Sequence, residues 1–307
     1  MPIPVILDCD PGTDDAIALL LALASPELSV LAVTVAGGNV GLDCTLPNAL
    51  ALTALAGSAV PVHAGADRPL LGAFVSETNV HGEDGLGGVI LPPGGLATPG
   101  LAADVIRRIL RDADEPVTLI GIGPATNLAL ALTTEPALAA RVEQIVLMSG
   151  AWAEGNVTPA AEFNAWSDPE ALAILLASRR PVVFATLELT AQALATPARL
   201  GAWRRLGHGQ SLQKACDIQA TVPPSRRLGG IGAPLHDPCA VAWLISPDLF
   251  TTRPCSVRVD LGPGPGRGRT LIDRWGRTDD PLNAIVLETV DADALFDFLG
   301  QRLALLP

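Results

Sequence analysis

The chain has no tyrosine, and its 307 residues include only six phenylalanines and five tryptophans. Sheets or grooves that stack single-stranded bases need aromatics on a basic surface. With few aromatics and a net charge of −12, a nucleic-acid partner is excluded as an expectation. Lysine is nearly missing as well. Lys214 is the only one, and arginine supplies the rest of the positive charge, which reads as a bias of the source genome. Cysteine is limited to Cys9, Cys44, Cys216, Cys239 and Cys255. The number is odd, the spacing wide and no CxxC occurs. That pattern argues against a disulfide framework or a cysteine zinc site and fits reduced thiols in the cytoplasm. The N-terminus lacks a basic n-region, and Asp8 and Asp10 interrupt it, so no secretory signal is expected. Long hydrophobic runs are missing too. The most apolar stretch, Ala16 to Ala24, is about half of a membrane span and is closed by Pro26 and Glu27.

Three motifs are also absent. No GxGxxG follows a strand in register, and no GxxxxGK[ST] and no Gly-x-Ser-x-Gly occur. The glycines of the GPGPGRGR run lie between β-type segments, not ahead of a helix. What the chain does have is apolar mass: 49% hydrophobic residues against 17% charged. Disorder is thereby excluded, and a large aliphatic core is expected.

Short β-type runs alternate with helical patterns. Ile3–Leu7, Val30–Ala36, Val60–Ala64, Val117–Ile122, Gln144–Met148 and Val182–Thr186 read as strands. Asp14–Ala24, Asn48–Leu55, Leu101–Arg111, Thr126–Leu132 and Pro169–Ser178 read as helices. The alternation predicts an α/β fold, a parallel sheet covered by helices on both faces. The segment 189–232 reads as mostly helix and loop. Beyond it, Ser256–Leu261, Thr270–Asp273 and Ala284–Leu287 read as strands around the glycine- and proline-rich 262–268 loop, and Asp293–Leu305 as a closing helix. No linker divides the chain, so one domain over 1–307 is expected.

In open α/β sheets ligands bind beyond the carboxyl ends of the strands. Unusual polar residues gather at four such ends: Asp8, Asp10, Asp14 and Asp15; Asn39; Thr126 and Asn127; Met148, Ser149 and Gly150. Four carboxylates within Asp8–Asp15 repel one another, and a hard cation such as calcium or magnesium would relieve that repulsion. An acidic N-cap cluster explains Asp14 and Asp15 equally well, but not Asp8 and Asp10. Further clusters are His236-Asp237 before an apolar helix, where Asp237 could simply cap. Glu162 and Asn164 have no evident structural role, unlike Ser167 or Asp168, which precede Pro169 as an N-cap. His81 sits in the glycine-rich stretch 80–85, a surface turn or a loop that closes on a ligand.

The segment DCDPGTDDA (Asp8 to Ala16) resembles the N-terminal signature of the inosine-uridine-preferring nucleoside hydrolases. The resemblance continues in order through AGGNV (Ala36 to Val40), VHGEDGLGG (Val80 to Gly88), GPATNLA (Gly123 to Ala129), IVLMSGAWAEGNVTPAAEFN (Ile145 to Asn164) and PLHDPCA (Pro234 to Ala240). It implies a Rossmann-like, mostly parallel open sheet with a C-terminal hairpin region and closing helix. It also implies hydrolysis of ribonucleosides to base and ribose. Asp10, Asp15, the Thr126 carbonyl and Asp237 would hold one Ca²⁺, with Asp14 as base on the attacking water and His236 as acid on the leaving base. Asn39, Asn156, Glu162 and Asn164 would bind ribose with Met148 packed nearby, and His81 and Phe163 would border base or ribose. On the same footing Asp8, Asp10, Asp14, Asp15, Glu162 and Asp237 would gather around one cation and a ribose that becomes cationic. A small-molecule ribonucleoside is the expected partner, with no membrane, and a homodimer or homotetramer the expected assembly. Ser149 stands where the family usually has glycine, and the tyrosines that family members place near the base are missing, which leaves inosine, uridine or other pyrimidine nucleosides open. Two other readings of the residues remain: an aspartyl-phosphate phosphatase built on Asp8-x-Asp10, where Gly12 departs from the motif, and a non-catalytic ribosyl-binding protein.

Overall fold

Residue alternation along the strands decides how the core divides. In β1 (Ile3–Cys9), Val5, Leu7 and Cys9 join one apolar cluster and Ile6 joins another. Successive strand residues point to opposite faces, so a strand apolar at every position must be covered on both sides. The same division recurs in β5 (Val142–Met148): Val146 and Met148 lie on one face, Ile145 and Leu147 on the other. The computed structural model describes residues 1–307 and places these strands at the centre of a nine-stranded sheet.

The other strands are β2 (Leu28–Val35), β3 (Val62–Ala64), β4 (Val117–Gly121), β6 (Val182–Ala185), the short pair β7 (Leu194–Ala195) and β8 (Ala233–Pro234), then β9 (Phe250–Val259), β10 (Thr270–Asp273) and β11 (Ala284–Val290). The sheet order is β10-β9-β11-β6-β5-β4-β1-β2-β3, with β7 and β8 forming a separate two-stranded piece. From β3 across to β11 the pairings are parallel, and β9 and β10 are added antiparallel. Order reverses between β1 and β4, where the chain leaves β1 toward β2 on one side and returns to β4 on the other. Such a switch opens a crevice beyond the strand ends.

Twelve helices complete the fold: α1 (Thr13–Ala24), α2 (Leu42–Leu55), α3 (Thr78–His81), α4 (Ala102–Asp112), α5 (Thr126–Thr134), α6 (Phe163–Ser167), α7 (Pro169–Ala177), α8 (Leu187–Thr190), α9 (Pro197–Arg204), α10 (Gln210–Thr221), α11 (Asp237–Ile245) and α12 (Ala292–Leu303). Helix α1 is apolar all round beyond its first turn and buried from Thr13 to Ala22, as expected of a helix enclosed by others. Its buried residues share a cluster with those of α10, α11 and α12, while α4, α5 and α7 cover the opposite face. No helix is long and apolar enough to cross a membrane.

The α/β alternation and the C-terminal hairpin agree with the sequence reading. Three boundaries differ for physical reasons. Helix α2 begins at Leu42 and runs through Pro47, an interior proline of the kind that reads as a helix break in sequence. Strand β9 begins at Phe250, not Ser256, and carries Pro254 opposite Ile285; proline and charged residues hide a strand from its pattern. The stretch around His81 contains the short helix α3, and His81 itself is buried.

Candidate active site

The chain leaves β1 through Asp10-Pro11-Gly12 and turns at once into α1. Gly12 has no side chain to cap the helix, so Asp15 closes the turn: its carboxylate accepts from the backbone N–H of Gly12 and of Asp10, both at 3.1 Å. Asn39, beyond β2, locks the neighbouring strand end to this turn. Its backbone N–H donates to Asp10 Oδ2 at 2.7 Å, and its amide donates to the Asp10 carbonyl at 3.1 Å and to Asp15 Oδ2 at 2.8 Å. The Asp10 carboxylate lies in a cradle only glycine leaves open. A Cβ on Gly38 would stand 2.0 Å from its Oδ2, and one on Gly123 2.2 Å from its Oδ1.

Asp237, the first residue of α11, completes the group. Asp14, Asp15 and Asp237 each offer a carboxylate oxygen within 4.8 Å of the others, and all three are buried. Burial, reinforced by the neighbouring charges, holds the Asp10 and Asp237 carboxyls well above the ordinary carboxylate range and pushes Asp15 up to about 7. The donor set is all oxygen, and Asp10 Oδ1 is buried with no partner in the chain. Both features fit a hard cation. Thr126 opens α5 just after Gly123; its hydroxyl donates to Asp168 Oδ2 at 2.6 Å.

Above these carboxylates opens a cavity of about 500 Å³. Asp14, Asn39, His81, Met148, Asn156, Glu162, Phe163, Asn164, His236 and Asp237 line it, while Asp10, Asp15 and Thr126 lie outside its lining. Two imidazoles face it in defined states. The backbone N–H of Thr13 donates to His81 Nδ1 at 3.0 Å, so neutral His81 carries its proton on Nε2. His236 Nδ1 meets the Thr190 hydroxyl at 2.7 Å, and that hydroxyl donates to the Leu187 carbonyl at 3.2 Å. His236 therefore carries a proton on Nδ1 and turns Nε2 to its task. Burial lowers the pKa of both rings, and the Asp14 charge pulls the other way.

Glu162 corrects the sequence reading, which found no structural task for it. It is the N-cap of α6: its carboxylate accepts from the N–H groups of Asn164, Ala165 and Gly150 at 2.8 to 2.9 Å. Burial raises its pKa, and these donors offset part of the rise. Asn164 is likewise anchored, its amide donating to the Ile122 and Met148 carbonyls at 3.0 Å. Asp168 caps α7, accepting from the Ala171 N–H at 3.0 Å. Asp8 is also reassigned. It accepts from the Asn127 amide at 3.0 Å, is pushed up to about 8 by burial, and is absent from the cavity lining. It does not join the ribose site, and an Asp8 nucleophile has no access to the cavity.

The opposite wall is formed by residues the sequence reading did not name, although it expected the 207–232 region to line the base: Glu77, Val80, Gln219, Val222, Pro223, Pro224, Ser225, Arg226 and Pro234. The segment carrying the last of these is tied across the mouth by Arg227, which donates to the Gly155 carbonyl at 2.8 Å and pairs with Glu154 at 2.9 Å. One signal was available, since Gln219 is a polar residue on the buried face of α10.

A carboxylate floor, two desolvated imidazoles and a ring of amides at a sheet switch point define a small-molecule hydrolase. The chain belongs to the inosine-uridine preferring nucleoside hydrolase family, whose model matches residues 5–297. It is 43% identical over 307 residues to the pyrimidine-specific ribonucleoside hydrolase RihA of Salmonella gallinarum, covering 99% of each chain. Among solved structures it is similar to the plant nucleoside hydrolase PpNRh1 (TM-score 0.92, 31% identity, 99% of each chain) and to a purine-preferring ribonucleoside hydrolase from Gardnerella vaginalis (TM-score 0.90, 33% identity, 98% of each chain). The enzyme hydrolyses ribonucleosides.

Proposed function

We propose that the enzyme cleaves the N-glycosidic bond of ribonucleosides with Ca²⁺ on the carboxylate floor, and that pyrimidine nucleosides, named in the RihA relatives, are its first substrates to test. The observations supporting the calcium reading are the buried Asp14, Asp15 and Asp237 carboxylates, whose oxygens converge within 4.8 Å, and the buried Asp10 Oδ1, which has no partner in the chain. Asp10, Asp15, the Thr126 carbonyl and Asp237 would hold the ion. Bound there, a hard cation supplies charge that offsets the carboxylates and acidifies a coordinated water.

The chain's own groups do the rest. Asp14, exposed to the cavity beside Asp15 and Asp237, takes the proton of the attacking water. The water oxygen bonds to the anomeric carbon as the carbon–nitrogen bond breaks, and the electron pair leaves with the base. His236, carrying a proton on both ring nitrogens in its acid form, delivers the Nε2 proton to that base and is left neutral with its Nδ1 proton held by Thr190. Displacement is single, with inversion. Positive charge building on the ribosyl ring is stabilised by the Glu162 carboxylate and its neighbours. Asn39, Asn156, Glu162 and Asn164 hold the sugar hydroxyls, Met148 packs beneath, and Phe163 and His81, a fixed Nε2–H donor, border the substrate.

We place the enzyme in the cytoplasm as a homodimer or homotetramer. The five free cysteines support the compartment, and light scattering tests the assembly. Reducing-sugar release from a panel of nucleosides, with and without chelator, tests the reaction. Release that survives exhaustive chelation overturns the calcium requirement.

A further inference from the structure

The Proposed function puts the sugar on the carboxylate floor, which leaves the opposite wall to the base. Of the polar side chains on that wall, Glu77 and Ser225 are half-buried and Arg226 is exposed. Gln219 alone is buried, at 2% exposure. Its Oε1 has no hydrogen-bond partner anywhere in the chain. Buried polar groups are almost always paired, and Gln219 contributes to the cavity lining, so an amide there with its oxygen unpaired points to a partner brought by the substrate.

We propose that Gln219 is a specificity-determining residue that reads the lactam edge of the nucleobase, the ring N–H beside a carbonyl that uracil and hypoxanthine share. A primary amide carries an acceptor and a donor in one plane, the complement of that edge. The last torsion of a glutamine is broad, so the amide can turn its oxygen to the cavity at little cost. The rest of the residue is fixed. It sits on the face of α10 that also buries Leu212, Ala215, Cys216 and Ile218. The following Thr221 ties its hydroxyl back to the Ile218 carbonyl at 2.7 Å. The 82–88 loop closes on the same helix end: a Cβ on Gly87 would stand 2.0 Å from Thr221 Oγ1. A reader mounted on a packed helix is placed more closely than one on a loop. Val80, Val222, Pro223 and Pro224 give the base apolar walls, and of the polar side chains beside them only Gln219 is withdrawn from solvent, so discrimination along its edge falls to Gln219.

This inference rests on the reaction proposed above, and the test separates the two. The calcium-loaded enzyme is assayed on uridine, 3-methyluridine, 5-methyluridine and 4-nitrophenyl riboside. A methyl on N3 removes the lactam donor, and a methyl on C5 adds the same bulk without removing it. The wild-type enzyme is expected to favour uridine over 3-methyluridine by at least about tenfold in kcat/KM while accepting 5-methyluridine. Gln219→Met is expected to lose that preference and to lose less on the nitrophenyl riboside, which has no lactam edge, than on uridine. Equal treatment of the two methyluridines by the wild-type enzyme overturns the proposal without any variant. So does a Gln219→Met enzyme that keeps the preference, or one that loses both substrate types in parallel. Failure of the wild-type enzyme on every riboside sinks the reaction itself, and this proposal with it.

Discussion

Thr190 Oγ1 lies 2.7 Å from His236 Nδ1, and the same hydroxyl spends its proton on the Leu187 carbonyl. The threonine can therefore only accept from the ring, and the ring nitrogen that exchanges protons with substrate is Nε2. Thr190 is fully buried, on the last turn of α8, so neither partner is free to reorient.

Replacing Thr190 by valine keeps the shape and removes the acceptor. A drop of about 10²-fold in kcat on nucleosides is expected, the order of a general acid put out of place. The nitrophenyl riboside, whose leaving group needs no proton, should lose little, and Thr190→Ser should restore most of the nucleoside rate. Steady-state kinetics on the two substrate types decides; parallel losses on both would mean a packing role only.

Asp14→Ala should lower turnover by about 10³-fold or more, since the base on the attacking water is gone. Calcium should stay bound, because Asp10, Asp15 and Asp237 remain. Calorimetric titration with Ca²⁺ beside the activity assay reads both quantities. Loss of calcium together with activity would make Asp14 a ligand.

Metal removal should make stability depend on pH. Without the ion, burial raises the folded-state pKa of Asp15 to about 7 and of Asp10 and Asp237 well above their ordinary values. A carboxyl raised on folding binds more protons folded than unfolded, so its contribution is full below the unfolded value and lost as pH rises through the folded one. The Tm of chelator-treated enzyme should fall between about pH 4 and pH 7. Added Ca²⁺ should restore stability most at the upper end. A Tm that is flat over this range after chelation counts against a cation site.

Glu162→Gln should destabilise the fold by about 1–3 kcal/mol, because an NH₂ group would face the N–H donors of Gly150, Asn164 and Ala165. Thermal unfolding without substrate measures it. An unchanged Tm with a raised KM would mean that Glu162 acts on substrate alone.

Much of this was legible in order along the chain. Strands with continuous apolar runs that fill both faces are interior, so β1, β4, β5 and β6 were visible, as was the helix made of Asp14 to Ala24. The polar residues that end those strands follow from the same pattern, which is why Asp14, Asn39 and Met148 stand out in the sequence alone, while Asn164 stands out through the family resemblance. Glu162 could be named too, but its capping bonds could not, because they come from Gly150, Asn164 and Ala165 after the chain has folded back on itself.

The sequence by itself determined the α/β class and that Asp8, Asp10, Asp14 and Asp15 follow the first strand, because local periodicity encodes the strands; the roles of His81 and His236 came from the family resemblance. Tertiary structure alone decided that Asp8 turns away to Asn127 while Asp15 and Asp237, more than two hundred residues apart, converge. It alone set the tautomers of His81 and His236, through Thr13 and Thr190. It alone brought Gln219 to the cavity wall, since a helix residue's partners depend on what packs against its face and not on its neighbours in sequence.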